Sequence, residues 1–114
     1  MMMRKHLVAA VIAIAASAPV SAQSLSRAEL LDGCSLMANL AEHIMGARQR
    51  RAPLTKALEV ASRISAEQGI PWEPLKDLTL HAYERPVGNS ELERQQAIGD
   101  FADYAMLDCM NTLN

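Results

Sequence analysis

Cys34 and Cys109 are the two cysteines of this 114-residue chain, and a bond between them would join its first third to its last residues. Thiols oxidise to disulfides in exported proteins and stay reduced in the cytosol, so their pairing depends on the compartment. No Cys-x-x-Cys motif is present, and no basic residue directly flanks either cysteine to lower the pKa of its thiol. Outside the cytosol, the pair predicts a structural disulfide rather than a catalytic thiol.

The first 22 residues have the order of a secretory signal peptide. Residues 4–5 are basic, residues 7–16 are aliphatic or small, and residues 17–22 end on the small side chains that a signal peptidase admits. The apolar run is too short for a transmembrane helix, which needs about 20 residues. We therefore expect cleavage after Ala22, a single domain over residues 23–114 in the periplasm or secreted, and no stable membrane insertion after cleavage.

The net charge argues against a nucleic-acid partner. The chain has 13 Asp and Glu against 11 Lys and Arg, and two of the basic residues lie in the predicted signal peptide. An acidic domain lacks the basic face that binding to phosphates requires. Arg48, Arg50 and Arg51 do cluster, but at the predicted end of a helix, where the helix dipole favours cations.

Apolar residues at helical spacing, with no alternating strand pattern, predict an all-α fold. Ser26 with Glu29 and Ser90 with Glu93 have the spacing of capping boxes, which begin helices, and Gly69 is a C-terminal stop. The predicted helices cover residues 27–50, 54–68, 73–84 and 91–112.

The predicted disulfide sets the topology, because its Cα atoms must lie within about 7 Å of each other. Cys34 lies near the start of the first helix and Cys109 near the end of the last, so these two long helices should run antiparallel, side by side. The second and third helices would then cover the remaining apolar face as a hairpin. Gly33, Gly46 and Gly99 inside the long helices predict either close helix–helix approach or, at Gly33, a local break.

Arg48 prolongs the buried stripe of the first helix and should lie near the start of the last one. This position predicts an ion pair with a carboxylate there, for which Glu91 is the best candidate. The alternative is that the Arg48 side chain extends along the apolar surface to water.

No motif for catalysis, cofactor binding or metal binding appears in the sequence. Of the positions three and four residues after His43 and His81, only Glu84, which follows His81, is a possible metal ligand, and two ligands are too few for a structural metal site. We therefore assign no catalytic, cofactor-binding or metal-ligating residue. Trp72, between two prolines, is either a rigid recognition anchor or a lid over the core, and Tyr83 is the second candidate interaction residue.

Several segments resemble a group of short exported proteobacterial proteins that carry an Ile-Met-x-x-Arg-Gln helix between two well-separated cysteines. The matching segments are Cys34, residues 41–45, Arg48-Gln49, residues 97–101 and Cys109. The resemblance implies a helical family with a signal peptide and transfers no activity. A glycine-led turn is usual after the Arg-Gln pair in that group, whereas this chain has Arg50-Arg51.

These observations favour a non-enzymatic module that binds another periplasmic protein. A small acid- or stress-responsive periplasmic chaperone is the first alternative, since protonation of its carboxylates would make the domain strongly cationic. The second alternative is a metal carrier or enzyme that uses His81.

Overall fold

The computed structural model describes residues 25–113, so the predicted signal peptide lies outside the described residues. Four helices and no strand occur within this range, and the predicted bounds agree with the observed ones to within one residue at every end. The all-α prediction is confirmed. The helices are α1 (Arg27–Gln49), α2 (Leu54–Gln68), α3 (Trp72–Tyr83) and α4 (Glu91–Leu113).

Both predicted capping residues begin their helices, but only the first forms a complete capping box. The Glu29 N–H donates to Ser26 Oγ at 3.1 Å, and the Ser26 N–H donates back to Glu29 Oε1 at 2.8 Å. At α4, the Glu93 N–H donates to the Ser90 hydroxyl, while the Glu93 carboxylate accepts from the N–H of Asn89 instead of Ser90. At α4, the N–H that donates to the Glu93 carboxylate therefore belongs to the residue before the one that the motif predicts.

The disulfide between Cys34 and Cys109 is present, with its Cα atoms 5.5 Å apart. It joins the first part of α1 to the last part of α4, and these antiparallel helices form the most extensive helix pair of the fold. The predicted topology is confirmed. One core cluster lies where α3 packs against this pair, and its buried members are Ala41, Met45, Leu78, Ala82, Phe101 and Ala105.

Neither explanation of the helix glycines is correct. A Cβ atom added at Gly33 or Gly99 would meet no other atom within 4 Å, apart from the nearby helix backbone. At Gly46 it would meet the Arg50 side chain, which follows on the same helix, at 3.2 Å. No neighbouring helix therefore approaches closely at these positions. Both helices also continue through their glycines without a break.

The second and third helices cover the core less completely than a closed hairpin would. α3 packs against both α1 and α2, and a second buried cluster of Leu40, Ala61 and Leu75 joins the three helices. Direct contact between α1 and α2 is sparse. Because these two helices meet over only a short stretch, an open groove remains between them.

Two residues in the connections have left-handed backbone conformations. Gly69, with φ of 69°, ends α2 as predicted, because glycine adopts this conformation without a steric penalty. Arg51, with φ of 64°, is the only residue in the described range that has a positive φ and is not a glycine.

Candidate binding groove

A groove of about 680 Å³ separates α1 from α2, with Leu75 of α3 at its floor. This volume falls within the range of about 300–1,000 Å³ that is typical of binding pockets. We call this feature the α1–α2 groove. The apolar side chains that line it include Leu36, Leu40, Ile44, Val60, Ala61 and Ile64.

The upper walls of the α1–α2 groove expose apolar side chains to solvent. Leu36 on α1 is 41% exposed and Val60 on α2 is 43% exposed. Below them, Leu40, Ala61 and Leu75 are buried. An apolar lining that continues from the core to the surface gains free energy when a ligand covers it, about 25 cal/mol for each Å² of apolar surface removed from water.

The ionisable residues that line the α1–α2 groove are all basic. His43, Arg50 and Lys56 line it, and no Asp or Glu does so among residues 25–113. Arg50 and Lys56 lie on either side of the turn that joins α1 to α2. Lys56 Nζ lies 3.7 Å from Glu59 Oε1, but both side chains are well exposed, and such pairs contribute little.

A smaller cavity of about 480 Å³ lies between α3 and α4, next to Cys109. Its rim carries Asp77, His81 and Asp108. The His81 Nδ1 atom lies 3.6 Å from Glu84 Oε1, which is the pair that the sequence indicates. Nowhere in the described residues do three or more His, Cys, Asp or Glu side chains come together in a way that could hold a metal ion.

Arg48 and Glu91 do not form the predicted ion pair in the described structure. Arg48 Nε donates a hydrogen bond of 2.8 Å to the carbonyl oxygen of Arg85, and its guanidinium lies 5.3 Å from the centre of the Tyr83 ring. Glu91 instead accepts a hydrogen bond from Gln95 and pairs with Arg94 at 3.2 Å, and these contacts lower the pKa of its carboxyl group. Arg48 therefore bonds the backbone of the α3–α4 connection instead of a side chain of α4.

Gln49 connects α1 to the same connection. Its side chain is 5% exposed and donates through Nε2 to the carbonyl of Pro86 at 3.1 Å, while its Oε1 accepts from the N–H of Gly88 at 2.8 Å. The preceding turn contributes Met45, which is fully buried. In this chain, the Ile-Met-x-x-Arg-Gln segment therefore anchors the α3–α4 connection on α1.

Trp72 and Tyr83 lie at opposite ends of α3. They are the first and last residues of α3, which places them about 16 Å apart along the helix axis. The Tyr83 hydroxyl donates to the carbonyl of Ala52 at 2.7 Å, and burial raises its pKa. Tyr83 is thus part of the packing at the α1–α2 turn, whereas Trp72 is partly exposed at the start of α3.

Comparison of the chain with protein-family models, with curated proteins and with solved structures finds no match. The function must therefore be argued from the geometry of the chain itself. Within residues 25–113, no helix combines the length and hydropathy that crossing a bilayer requires.

The groove-lining residues Leu36 and Val60 were missed at the level of the sequence, because they lie outside the apolar stripes that the helical spacing assigns to the core. The one sign of them in the sequence was that they are apolar residues on helix faces predicted to be exposed. Single exposed apolar residues are common on protein surfaces, so this signal has little meaning until the fold places the two residues beside one groove.

Proposed function

We propose that this chain is a non-enzymatic protein-interaction module of the periplasm or the extracellular space, and that its α1–α2 groove receives a helix of the partner protein. The observation that carries the proposal is the apolar lining of this groove, which reaches the surface at Leu36 and Val60. Export is inferred from the pattern of residues 1–22, and the disulfide is consistent with it.

The dimensions of the groove suit a helical ligand. Along α1 it extends from Leu36 to Arg50, which corresponds to about 21 Å, or about four helical turns. Amphipathic helices bind in such grooves by inserting apolar residues spaced at i, i+3, i+4 and i+7. The residues that line the groove offer apolar contact and a few polar donors, which is the composition of a recognition site.

Site-specific photo-crosslinking in the native compartment tests the proposal. A photoreactive amino acid is placed at Val60 in the groove and, as the matched control, at Leu107, which is 64% exposed on α4 outside the groove. We expect a discrete protein adduct from position 60 and none from position 107. The adduct should disappear when Leu36→Asp is introduced, because a carboxylate at the wall opposes apolar contact.

The identified partner is then purified and titrated against the exported domain by calorimetry. We expect Leu36→Asp to weaken its binding by at least about tenfold, which is the effect of losing one well-buried apolar anchor. Equal labelling from positions 60 and 107, or binding that Leu36→Asp leaves unchanged, would contradict the proposal.

A further inference from the structure

We infer that the partner helix is acidic at the end that meets the turn between α1 and α2. This inference rests on the proposed function and specifies the chemistry and the direction of its ligand. The turn brings Arg50 and Lys56 to one end of the α1–α2 groove. An amphipathic helix with Glu or Asp beside its apolar face at that end would be complementary to both.

The charge of the groove lining has the opposite sign to the net charge of the whole chain. The full chain has a formal net charge of −2, yet the ionisable side chains that line the groove are His43, Arg50 and Lys56. Acidic residues on the remaining surface therefore do not extend into the groove lining. A local basic site on an acidic protein attracts an acidic ligand and discourages a basic one.

The basic end is available to a ligand. Among residues 25–113, Lys56 forms a salt bridge with the exposed Glu59 at 3.7 Å, a contact that a partner carboxylate can replace at little cost. The carbonyls of Gly46, Ala47 and Arg48 at the end of α1 already accept hydrogen bonds from the N–H groups of residues 50–52. Their partial negative charge is thereby partly offset, and the start of α2 at the same turn carries the partial positive charge of a helix N-terminus, which favours an anion.

The other end of the groove is apolar and uncharged. Leu36 and Ile64 lie there, with Asn39 and Gln68 as its polar residues. The groove thus has one cationic end and one neutral end, which fixes the direction of the ligand. The acidic end of the partner helix should lie over Arg50 and Lys56, and its more apolar end should lie between Leu36 and Ile64.

Two synthetic peptides and one amphiphile test the inference on the intact, disulfide-bonded domain. Both peptides carry leucines at i, i+3, i+4 and i+7; the first has glutamates beside this face at one end, and the second has lysines at the same positions. Laurate, a monoacyl anion, is the third probe. The double variant Arg50→Glu/Lys56→Glu is compared with Arg63→Glu, a control on α2 whose side chain is exposed and outside the groove lining.

We expect the glutamate peptide to bind at least about tenfold more tightly than the lysine peptide, with a preference that weakens as salt is raised. The double variant should reverse the preference, and Arg63→Glu should leave it within about twofold. Equal binding of the two peptides would overturn the inference while leaving the groove as a helix-binding site. Binding of laurate alone, or of no probe, would overturn the helix-binding function as well.

Discussion

The side-chain oxygen of Gln49 accepts a hydrogen bond from the backbone N–H of Gly88 across 39 positions of the sequence, at 2.8 Å. The same amide group donates to the carbonyl of Pro86. Gln49 therefore satisfies one donor and one acceptor of the α3–α4 connection with a single buried side chain. Next to it, Arg48 bonds the carbonyl of Arg85, so two residues at the end of α1 hold three backbone groups of this connection, at positions 85, 86 and 88.

Replacing Gln49 with alanine should destabilise the domain by about 2–3 kcal/mol. The substitution removes both hydrogen bonds and leaves backbone groups of Pro86 and Gly88 without these partners in a partly buried site. Urea denaturation followed by circular dichroism measures the change. The control Gln96→Ala alters an exposed residue of α4 and should stay within about 0.5 kcal/mol of the parent chain. Equal stabilities of the two variants would contradict this role for Gln49.

Removing the disulfide should cost about 4–4.5 kcal/mol. The bond closes a loop of 75 residues. In the chain-entropy model, it stabilises the fold by about this free energy because it lowers the conformational entropy of the unfolded chain. The double variant Cys34→Ala/Cys109→Ala and the reduced parent chain should show similar, lower urea midpoints. Reductant should have no effect on the double variant. A parent chain whose midpoint is insensitive to reductant would show that the bond contributes little.

Alanine at Gly33 or Gly99 should stabilise the domain by about 0.5–1 kcal/mol, because alanine is the better helix former and open space surrounds each position. Gly88→Ala should do the opposite, since its Cβ atom would lie 2.8 Å from the backbone nitrogen of Arg94. Thermal denaturation of the three variants measures the difference. Stabilisation by alanine at position 88 would contradict the observed packing of this connection.

Arg51→Gly should also stabilise the chain, by about 0.5–1 kcal/mol. Arg51 has φ of 64°, a conformation that costs a residue with a side chain about 1–2 kcal/mol, and the flexibility of glycine in the unfolded state offsets part of the gain. Arg50→Gly is the matched control, because Arg50 has φ of −89° and no such strain. A gain at position 50 that equals the gain at position 51 would contradict the explanation.

Acid should weaken the fold only slightly. Hydrogen bonds to Ser26 lower the pKa of Glu29, and hydrogen bonds from Gln95 and Arg94 lower the pKa of Glu91 below the ordinary value of 4.5. The stability that these carboxylates contribute is fully present above pH 4.5 and is lost as the pH falls through their lower folded-state pKa values. The melting temperature should therefore decrease modestly below pH 4.5.

The acid-responsive chaperone hypothesis predicts a larger change. It requires self-repulsion among surface cations to expose apolar surface. Burial of ionisable groups adds nothing to this driving force in the described part of the chain, because the buried polar residues there, Gln49 and Thr79, do not ionise. We expect near-UV circular dichroism at about pH 3, below the usual carboxyl pKa values, to retain the signal seen at neutral pH. Loss of this signal together with binding of an apolar dye would favour the chaperone instead.

The helices and their topology were predictable because local signals determine them. Ser26 and Ser90 mark helix starts, Gly69 marks a stop, and the Cys34–Cys109 bond leaves an antiparallel arrangement of the two long helices as the natural solution. These signals depend on side chains close in sequence or on one covalent bond. They do not depend on the angle between helices.

The features that the sequence did not reveal depend on that angle or on backbone acceptors. The α1–α2 groove exists because α2 diverges from α1, and no residue pattern within either helix specifies this divergence. Arg48 bonds the carbonyl of Arg85, and since every residue carries a carbonyl, charge complementarity with Glu91 was a poor guide to its partner. The hydrogen bond from the Tyr83 hydroxyl to the carbonyl of Ala52 was not predicted for the same reason.

Methyl NMR of the domain, titrated with the glutamate peptide, shows whether the α1–α2 groove is the binding site. We expect chemical-shift changes and intermolecular contacts at Leu36, Ile44 and Val60 in the α1–α2 groove, with the methyl groups of Leu92 and Leu107 on α4 unchanged. Shifts confined to α4, or no change at Leu36 and Val60 at saturating peptide, would contradict it.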